Sequence, residues 1–253
     1  QSGPSKVPEG PSDDRFLFPS DVLPTAWQAV QYADVPQGGS VAVLGLGPIG
    51  DMCARIAMHL GAGRVFGVDL VDERLERARA RGVDTVDLRS GEDVVKLIQD
   101  ETQGRGPDAV IDAVGMEAHG DTVGKTAQKV ASLLPDALQR RMMEHMGVDR
   151  MGALHLAVDL VRRGGTISLS GVYGGMADPM PMMVLFDKQV QLRMGQANVK
   201  QWIPEIAPLL TDDDPLGTRD LATHLVPLDQ APDAYAAFQQ KQDGAIKVVF
   251  DPW

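Results

Sequence analysis

Residues 41–50 read Val-Ala-Val-Leu-Gly-Leu-Gly-Pro-Ile-Gly, an apolar run suited to a buried strand that breaks into glycines spaced G-x-G-x-x-G. A second apolar run, Arg-Val-Phe-Gly-Val-Asp at 64–69, closes on Asp69, nineteen residues past the last glycine. Few folds accept that order of strand, glycine turn, helix, strand and acid within about 30 residues. Each piece has a part in holding a dinucleotide. Gly45 permits the tight turn off the strand, Gly47 lets backbone approach a pyrophosphate, and Gly50 lets the helix lie close to the sheet. The helix opening at Pro48 and Ile49 turns free N–H groups and its positive dipole end toward the phosphates. Asp69 accepts hydrogen bonds from the adenosine ribose, and its charge favours NAD over NADP. Arg74, five residues on, could meet a 2′-phosphate, but residues 72–79 read more simply as a solvated helix face. The plain structural reading of the glycines is an ordinary strand-to-helix turn; the second strand and its acid argue for the ligand.

The rest of the chain extends the same rhythm. Helices are expected at 21–32, 48–60, 72–81 and 92–103, and strands at 40–44, 65–69, 85–88 and 109–114. Ala26, Trp27 and Val30 form the apolar face of the first helix. Such alternation predicts an α/β fold with a doubly wound parallel Rossmann sheet. Residues 116–151 interrupt it with a helical, methionine-bearing insertion. A helix at 153–163 stopping at Gly164-Gly165 then leads to strands at 166–170 and 190–194. Past residue 198 the pattern becomes helix, strand (224–228), helix (231–240) and strand (245–250), a partial second domain. The expected division is 1–22, then 23–198, then 199–253.

The chain has 253 residues and a net charge of −11, a balance that argues against nucleic acid and anionic membranes as partners. One cysteine, Cys53, excludes an internal disulfide and a cysteine-rich zinc site, and fits a reducing compartment. No apolar run is long enough to cross a bilayer, so a soluble cytoplasmic protein is the expectation. The first ten residues lack an initiator methionine and any periodicity, and read as the middle of something or as an expression scar.

Ligands of such sheets bind beyond the carboxyl ends of the strands. The loops there carry Gly45 to Gly50, then Asp69 and Leu70, then Val114, Gly115 and Met116, then Gly171, Val172 and Tyr173, and finally Gly195, Gln196, Ala197 and Asn198. Val114 and Met116 would flank the adenine or its ribose, and Val172 and Tyr173 would reach the nicotinamide through backbone groups. Turn geometry explains each glycine singly, a cofactor track explains them as a set. His59, His119, His145, His155 and His224 are scattered, without metal or triad spacing, and read as structural or exposed. Asp112, inside an apolar strand, needs partners and reads as a cap for a neighbouring loop. The methionines at 176, 180, 182 and 183 crowd a proline-containing loop suited to an interface, a pocket wall or core packing.

Ser20-Asp21-Val22-Leu23-Pro24-Thr25-Ala26-Trp27, followed by the glycine turn, closely resembles the zinc-dependent medium-chain alcohol dehydrogenases. The acid in Ser-Asp-x-x-Pro-Thr resembles their glutathione-independent formaldehyde dehydrogenase and aldehyde dismutase branch in particular. Val-Ile-Asp-Ala-Val-Gly at 110–115, Ser-Gly-Val-Tyr-Gly at 170–174, Phe-Asp-Lys at 186–188 and Arg-Met-Gly-Gln at 193–196 extend the likeness over essentially the whole chain. The resemblance implies that Asp21 is the third ligand of a catalytic zinc and that Thr25 packs against the nicotinamide. It places Lys247 near the cofactor phosphates, and pairs subunits through 176–195 as a homodimer or homotetramer. The plain reading of Asp21 is a helix N-cap. The family's other zinc ligands, a cysteine and a histidine, and its structural-zinc loop have no counterpart in these residues. A catalytic zinc needs three protein ligands, which Asp21 alone does not supply. The chain therefore resembles the C-terminal three-fifths of such an enzyme.

Two function classes follow. One is an NAD- and zinc-dependent oxidoreductase of short alcohols or aldehydes, with dismutation favoured if the insertion keeps NAD bound between turnovers. The other is a non-catalytic, self-associating NAD-binding fragment. A methyltransferase with a similar glycine turn would leave the Asp21–Thr25 and Gly195 features unexplained.

Overall fold

Strands β1 (Ser40–Leu44), β2 (Arg64–Asp69), β3 (Asp84–Asp87), β4 (Ala109–Asp112), β5 (Thr166–Leu169) and β6 (Gln191–Met194) form one parallel sheet in the order β3-β2-β1-β4-β5-β6. The structure, a computed structural model, describes residues 6–7, 13–114, 151–173, 180–241 and 243–252. The insertion expected at 116–151 lies outside the described residues apart from Met151, as do Gly115, Met116, His119, His145 and Met176.

The central strands are apolar along their interiors because both faces are covered. Val41, Val43, Val65, Ala109 and Ile111 point into one core with helices α1 (Val22–Ala33) and α2 (Pro48–His59). Ala42, Leu44, Phe66, Val68, Val110 and Ile167 point into the other, with α4 (Val94–Glu101) and α5 (Gly152–Leu160). Helix α3 (Asp72–Arg79) buries only Leu75 and Ala78. Leu23, Trp27 and Val30 bury one face of α1, each worth roughly 1.5–3 kcal/mol relative to exposure.

Of the expected boundaries that move, three have a visible cause. Helix α4 begins after Asp93, whose side chain accepts the Lys96 amide at 3.1 Å and caps it, so it does not start at 92. Helix α5 ends at Leu160 rather than 163, because Val161 turns extended and Lys188 Nζ takes the carbonyls of Val158, Asp159 and Val161 at 2.7, 2.9 and 3.1 Å. The end of the expected methionine loop is helical, α6 (Met182–Lys188), with Pro181 at its N-cap, where a missing N–H does no harm.

Beyond β6 come α7 (Val199–Ile206), strand β7 (His224–Pro227), α8 (Ala231–Gln239) and β8 (Val248–Asp251), with β7 and β8 paired in parallel. Trp202, Ile206, Leu210, Leu216, Leu221 and Ile246 enter the same core as α1 and α2. Polar ties reinforce that union. Arg55 on α2 pairs with Asp51 at 2.6 Å and Asp220 at 3.0 Å, and donates to the carbonyls of Leu216 and Gly217. Arg77 and Arg81 also pair with Asp220. Arg77 and Arg81 are thus engaged, while Arg79 is exposed, as a solvated face would have it. Among the described residues no helix is long and apolar enough to cross a membrane.

Candidate functional site

The glycine turn leaves β1 where its neighbours β2 and β4 diverge in chain order, the position at which such sheets take ligands. Gly45 has φ +82°, in the left-handed region, and its amide donates to Val68 O at 2.8 Å. A Cβ on Gly50 would lie 1.7 Å from the Gly45 carbonyl, so α2 could not approach the turn with any larger residue there. Gly47 is the N-cap of α2 and Pro48 opens the helix, with no side chain capping its first turn. That end presents backbone amides and a positive dipole to the crevice.

Asp69, at the end of β2, is 5% exposed. Its Oδ2 accepts the Leu46 amide at 2.6 Å, and Oδ1 accepts those of Leu70 and Val71 at 2.7 and 3.0 Å. A carboxylate oxygen can accept two hydrogen bonds, so Oδ2 keeps capacity for one more donor. Arg74 lies 3.7 Å from that oxygen, and its guanidinium is 3.5 Å from where a Gly47 side chain would begin. It leans over the turn, contrary to the expectation of a solvated face. The acid, the turn and one cation thus form a single cradle suited to a dinucleotide.

Across the crevice, Asp112 ends β4 fully buried. Its carbonyl accepts the amides of Ser170 and Gly171 at 3.0 and 2.8 Å, and its Oδ1 accepts that of Val114 at 2.8 Å. The Tyr173 hydroxyl donates to Oδ2. Burial, followed by that neighbouring charge, pushes the Tyr173 phenol well above its usual range, so it remains a donor. Asp112 is the loop cap expected of it, and additionally holds Tyr173, leaving Val172 exposed. The last loop, with Gly195, Gln196 and Ala197, hangs on Gln28 of α1. Gln28 donates to the Gly195 and Gln196 carbonyls at 3.2 and 3.0 Å and accepts from Asn198 N and Trp202 Nε1 at 2.8 and 3.1 Å. Sequence reasoning passed over Gln28; a lone amide among buried apolar residues of α1 was the available signal.

Asp21 occupies the N-cap of α1, yet its carboxylate caps no backbone amide and accepts only the Thr25 hydroxyl, at 3.2 Å, among the interactions seen. The N-cap position is right and the N-cap role is not. Asp21 and Lys247 line one cavity of about 280 Å3 with Phe18, Val248 and Phe250. Among the described residues no three His, Cys, Asp or Glu side chains converge to hold a metal ion. Asp21 therefore does not hold a catalytic zinc by itself. His59 is exposed, and His224 Nδ1 sits 2.9 Å from Thr223 Oγ1. Cys53 is buried with its Sγ 3.7 Å from the Ala26 carbonyl, and burial pushes its thiol far up, so it packs as a neutral residue.

Residues 48–132 match the family model of the zinc-binding dehydrogenases. A zinc-type alcohol dehydrogenase-like protein of Bacillus subtilis (strain 168) is 34% identical over 250 residues, which cover 98% of this chain and 62% of that relative. Over nearly its whole length the chain resembles the zinc-type alcohol dehydrogenases. A formaldehyde dismutase of Pseudomonas putida is 32% identical over 248 residues, covering 92% of this chain and 56% of that protein. The alcohol dehydrogenase TADH of Thermus sp. ATN1 superposes with a TM-score of 0.79 at 30% identity, covering 97% of this chain and 60% of that one. The chain spans about three-fifths of the length of these relatives. The six-strand Rossmann-type sheet matches the fold of that solved structure.

Proposed function

We propose that this chain is the cofactor-binding part of an NAD-dependent, zinc-assisted oxidoreductase of short alcohols or aldehydes, of the formaldehyde dehydrogenase or dismutase kind. The observation that carries the reading is the cradle of Gly45, Gly47, Gly50 and Asp69, fixed by the 2.6 Å bond between Leu46 N and Asp69. The proposed division remains 1–22, 23–198 and 199–253, with the middle part holding the cofactor.

In this reading the AMP half of NAD lies over β2, its ribose donating to Asp69. The pyrophosphate meets the α2 amides and Arg74, and Lys247 serves the phosphates. Val114 flanks the adenine or its ribose, and the nicotinamide half lies by the 171–173 and 195–197 loops. Bound NAD supplies a hydride acceptor at the nicotinamide carbon. The chain's own residues orient that ring: Thr25 packs against it, and backbone groups at Val172 and Tyr173 hold its carboxamide. NAD is preferred to NADP because three amides pin the Asp69 carboxylate, so it cannot swing away from a 2′-phosphate. Asp21 serves as one metal ligand, with its companions supplied from outside the described residues. Alone, the chain binds NAD without turning over alcohol, in keeping with the fragment reading. Subunits pair through 176–195, where Met182, Met183, Phe186 and Met194 are exposed. Buried Cys53 as the one thiol supports a reducing compartment, the cytoplasm.

Titration of the chain with NADH, NADPH and S-adenosylmethionine tests the cofactor. Saturable NADH binding at least tenfold tighter than NADPH is expected; S-adenosylmethionine binding without NADH binding would replace the proposal with a methyltransferase. For the full-length protein, equal alcohol and acid formed from an aldehyde without added NAD would establish dismutation. Strict dependence on added NAD would establish a dehydrogenase.

A further inference from the structure

Gln28 is the most fully committed polar side chain on α1. It is 3% exposed, and its four hydrogen bonds saturate an amide that has two donor and two acceptor positions. Its orientation is not arbitrary. The Gly195 and Gln196 carbonyls can only accept, while Asn198 N–H and Trp202 Nε1–H can only donate, so a flipped amide would set like against like four times. All four partners lie on the loop after β6 and on the helix it enters, α7.

Gln28 also has a particular place on its helix. Asp21, Thr25 and Gln28 stand at i, i+4 and i+7, one stripe along the same face of α1. That stripe carries, in order, the proposed metal ligand, the residue proposed to pack on the nicotinamide, and the anchor of the 195–198 loop. In a doubly wound sheet the β1–β3 half takes one mononucleotide and the β4–β6 half the other. With Asp69 on β2 claiming the adenosine ribose, the loop after β6 belongs to the nicotinamide half.

We infer that Gln28 is a positioning residue for the nicotinamide half of the cofactor. It locks the 195–198 loop to the α1 face that bears Thr25 and so sets the gap in which the ring is held. The inference rests on the NAD reading above. It is not a catalytic residue: it touches the loop, and the loop faces the cofactor.

The test compares two probes on the full-length protein and its variants. ADP-ribose reports the β1–β3 half alone, and NADH reports both halves. In the wild type NADH binds more tightly than ADP-ribose. Gln28→Leu, which removes all four bonds, should cut that advantage about tenfold with ADP-ribose affinity unchanged. Gln28→Glu keeps the acceptor oxygen but replaces the NH2 with a carboxylate oxygen facing two carbonyls, and should do the same. A folded variant with an unchanged NADH advantage overturns the inference. So does a parallel loss of both ligands, the mark of a merely structural role. Should neither variant fold, hydrogen exchange in the wild type decides: NADH should protect the amides of 195–198 more than ADP-ribose does, and equal protection overturns the inference. A wild type that binds neither ligand is a separate outcome, in which the NAD reading itself fails and takes this inference with it.

Discussion

Asp69→Asn separates an observed structural job of one carboxylate from a proposed one. The carboxylate accepts three backbone amides, those of Leu46, Leu70 and Val71. An asparagine oriented to keep Leu70 and Val71 turns its NH2 toward the Leu46 N–H, donor against donor. One charge-assisted bond is lost and one buried donor is orphaned, a cost of about 1.5–3 kcal/mol. For a chain of this size that lowers Tm by roughly 3–12 °C. The second job, proposed above, is cofactor choice. Two unit charges about 4 Å apart interact by about 4 kcal/mol at an effective dielectric near 20. Arg74, 3.7 Å from Asp69, offsets part of any repulsion of a 2′-phosphate. A residual of about 1–2 kcal/mol corresponds to roughly 5–30-fold discrimination. Asp69→Asn should therefore lower Tm and also bring NADPH affinity toward that of NADH by this factor. Thermal unfolding and fluorescence titration with both nucleotides measure the two effects. A lower Tm with the nucleotide ratio within about twofold of wild type would show that Asp69 only braces the glycine turn.

Arg55→Ala leaves the buried Asp51 carboxylate with Arg77 alone, 3.5 Å away, and unties α2 from the 216–220 segment; a loss of about 1.5–3 kcal/mol is expected in urea unfolding, and a loss below about 1 kcal/mol would refute the tie. Burial opposes the charge on Asp108, but the Ser40 amide and hydroxyl and the Arg162 guanidinium outweigh it and hold the carboxyl below its usual range. Asp214 is likewise depressed against burial, by the Arg219 amide, the Thr218 hydroxyl and amide, and Arg15. Because both folded values lie below the unfolded ones, their stabilisation is full above about pH 4 and is lost as pH falls through the folded values. The double variant Asp108→Asn, Asp214→Asn should show a shallower fall of the urea midpoint below about pH 4, and an unchanged slope counts against the assignment. Phe186→Asp should convert an oligomer to monomers in sedimentation velocity, and an unchanged mass would move the interface elsewhere.

What was legible in the sequence is what local physics dictates. The alternation of Val41 and Val43 against Ala42 and Leu44, the glycines and the acid closing β2 are readable because period, turn geometry and spacing are properties of short segments. The misread boundaries share the opposite character. Helix α5 stops early because an ammonium from Lys188, 27 to 30 residues downstream, collects its last carbonyls. Pro181 reads as a breaker yet stands at the N-cap, where its lost N–H leaves the helix uninterrupted.

The same contrast governs the site. Asp69 is legible because its partners lie on the same strand-turn-strand unit, whereas Gln28 meets its partners 167 to 174 residues away. Arg74 looks like one more charge on a polar helix until the turn it leans over is in place. A local signal nevertheless survives in each case. Gln28 sits on a buried apolar helix face and Asp112 inside a buried strand, and neither can remain there without hydrogen-bonding partners. A polar side chain on an apolar face is therefore a demand for a distant partner. On this chain both such demands are met by the loops after β5 and β6, on the edge where the nicotinamide is proposed to lie. Gln28 and Asp112 thus brace both loops through hydrogen bonds. The glycine turn alone does not mark the loops proposed to orient the reacting ring.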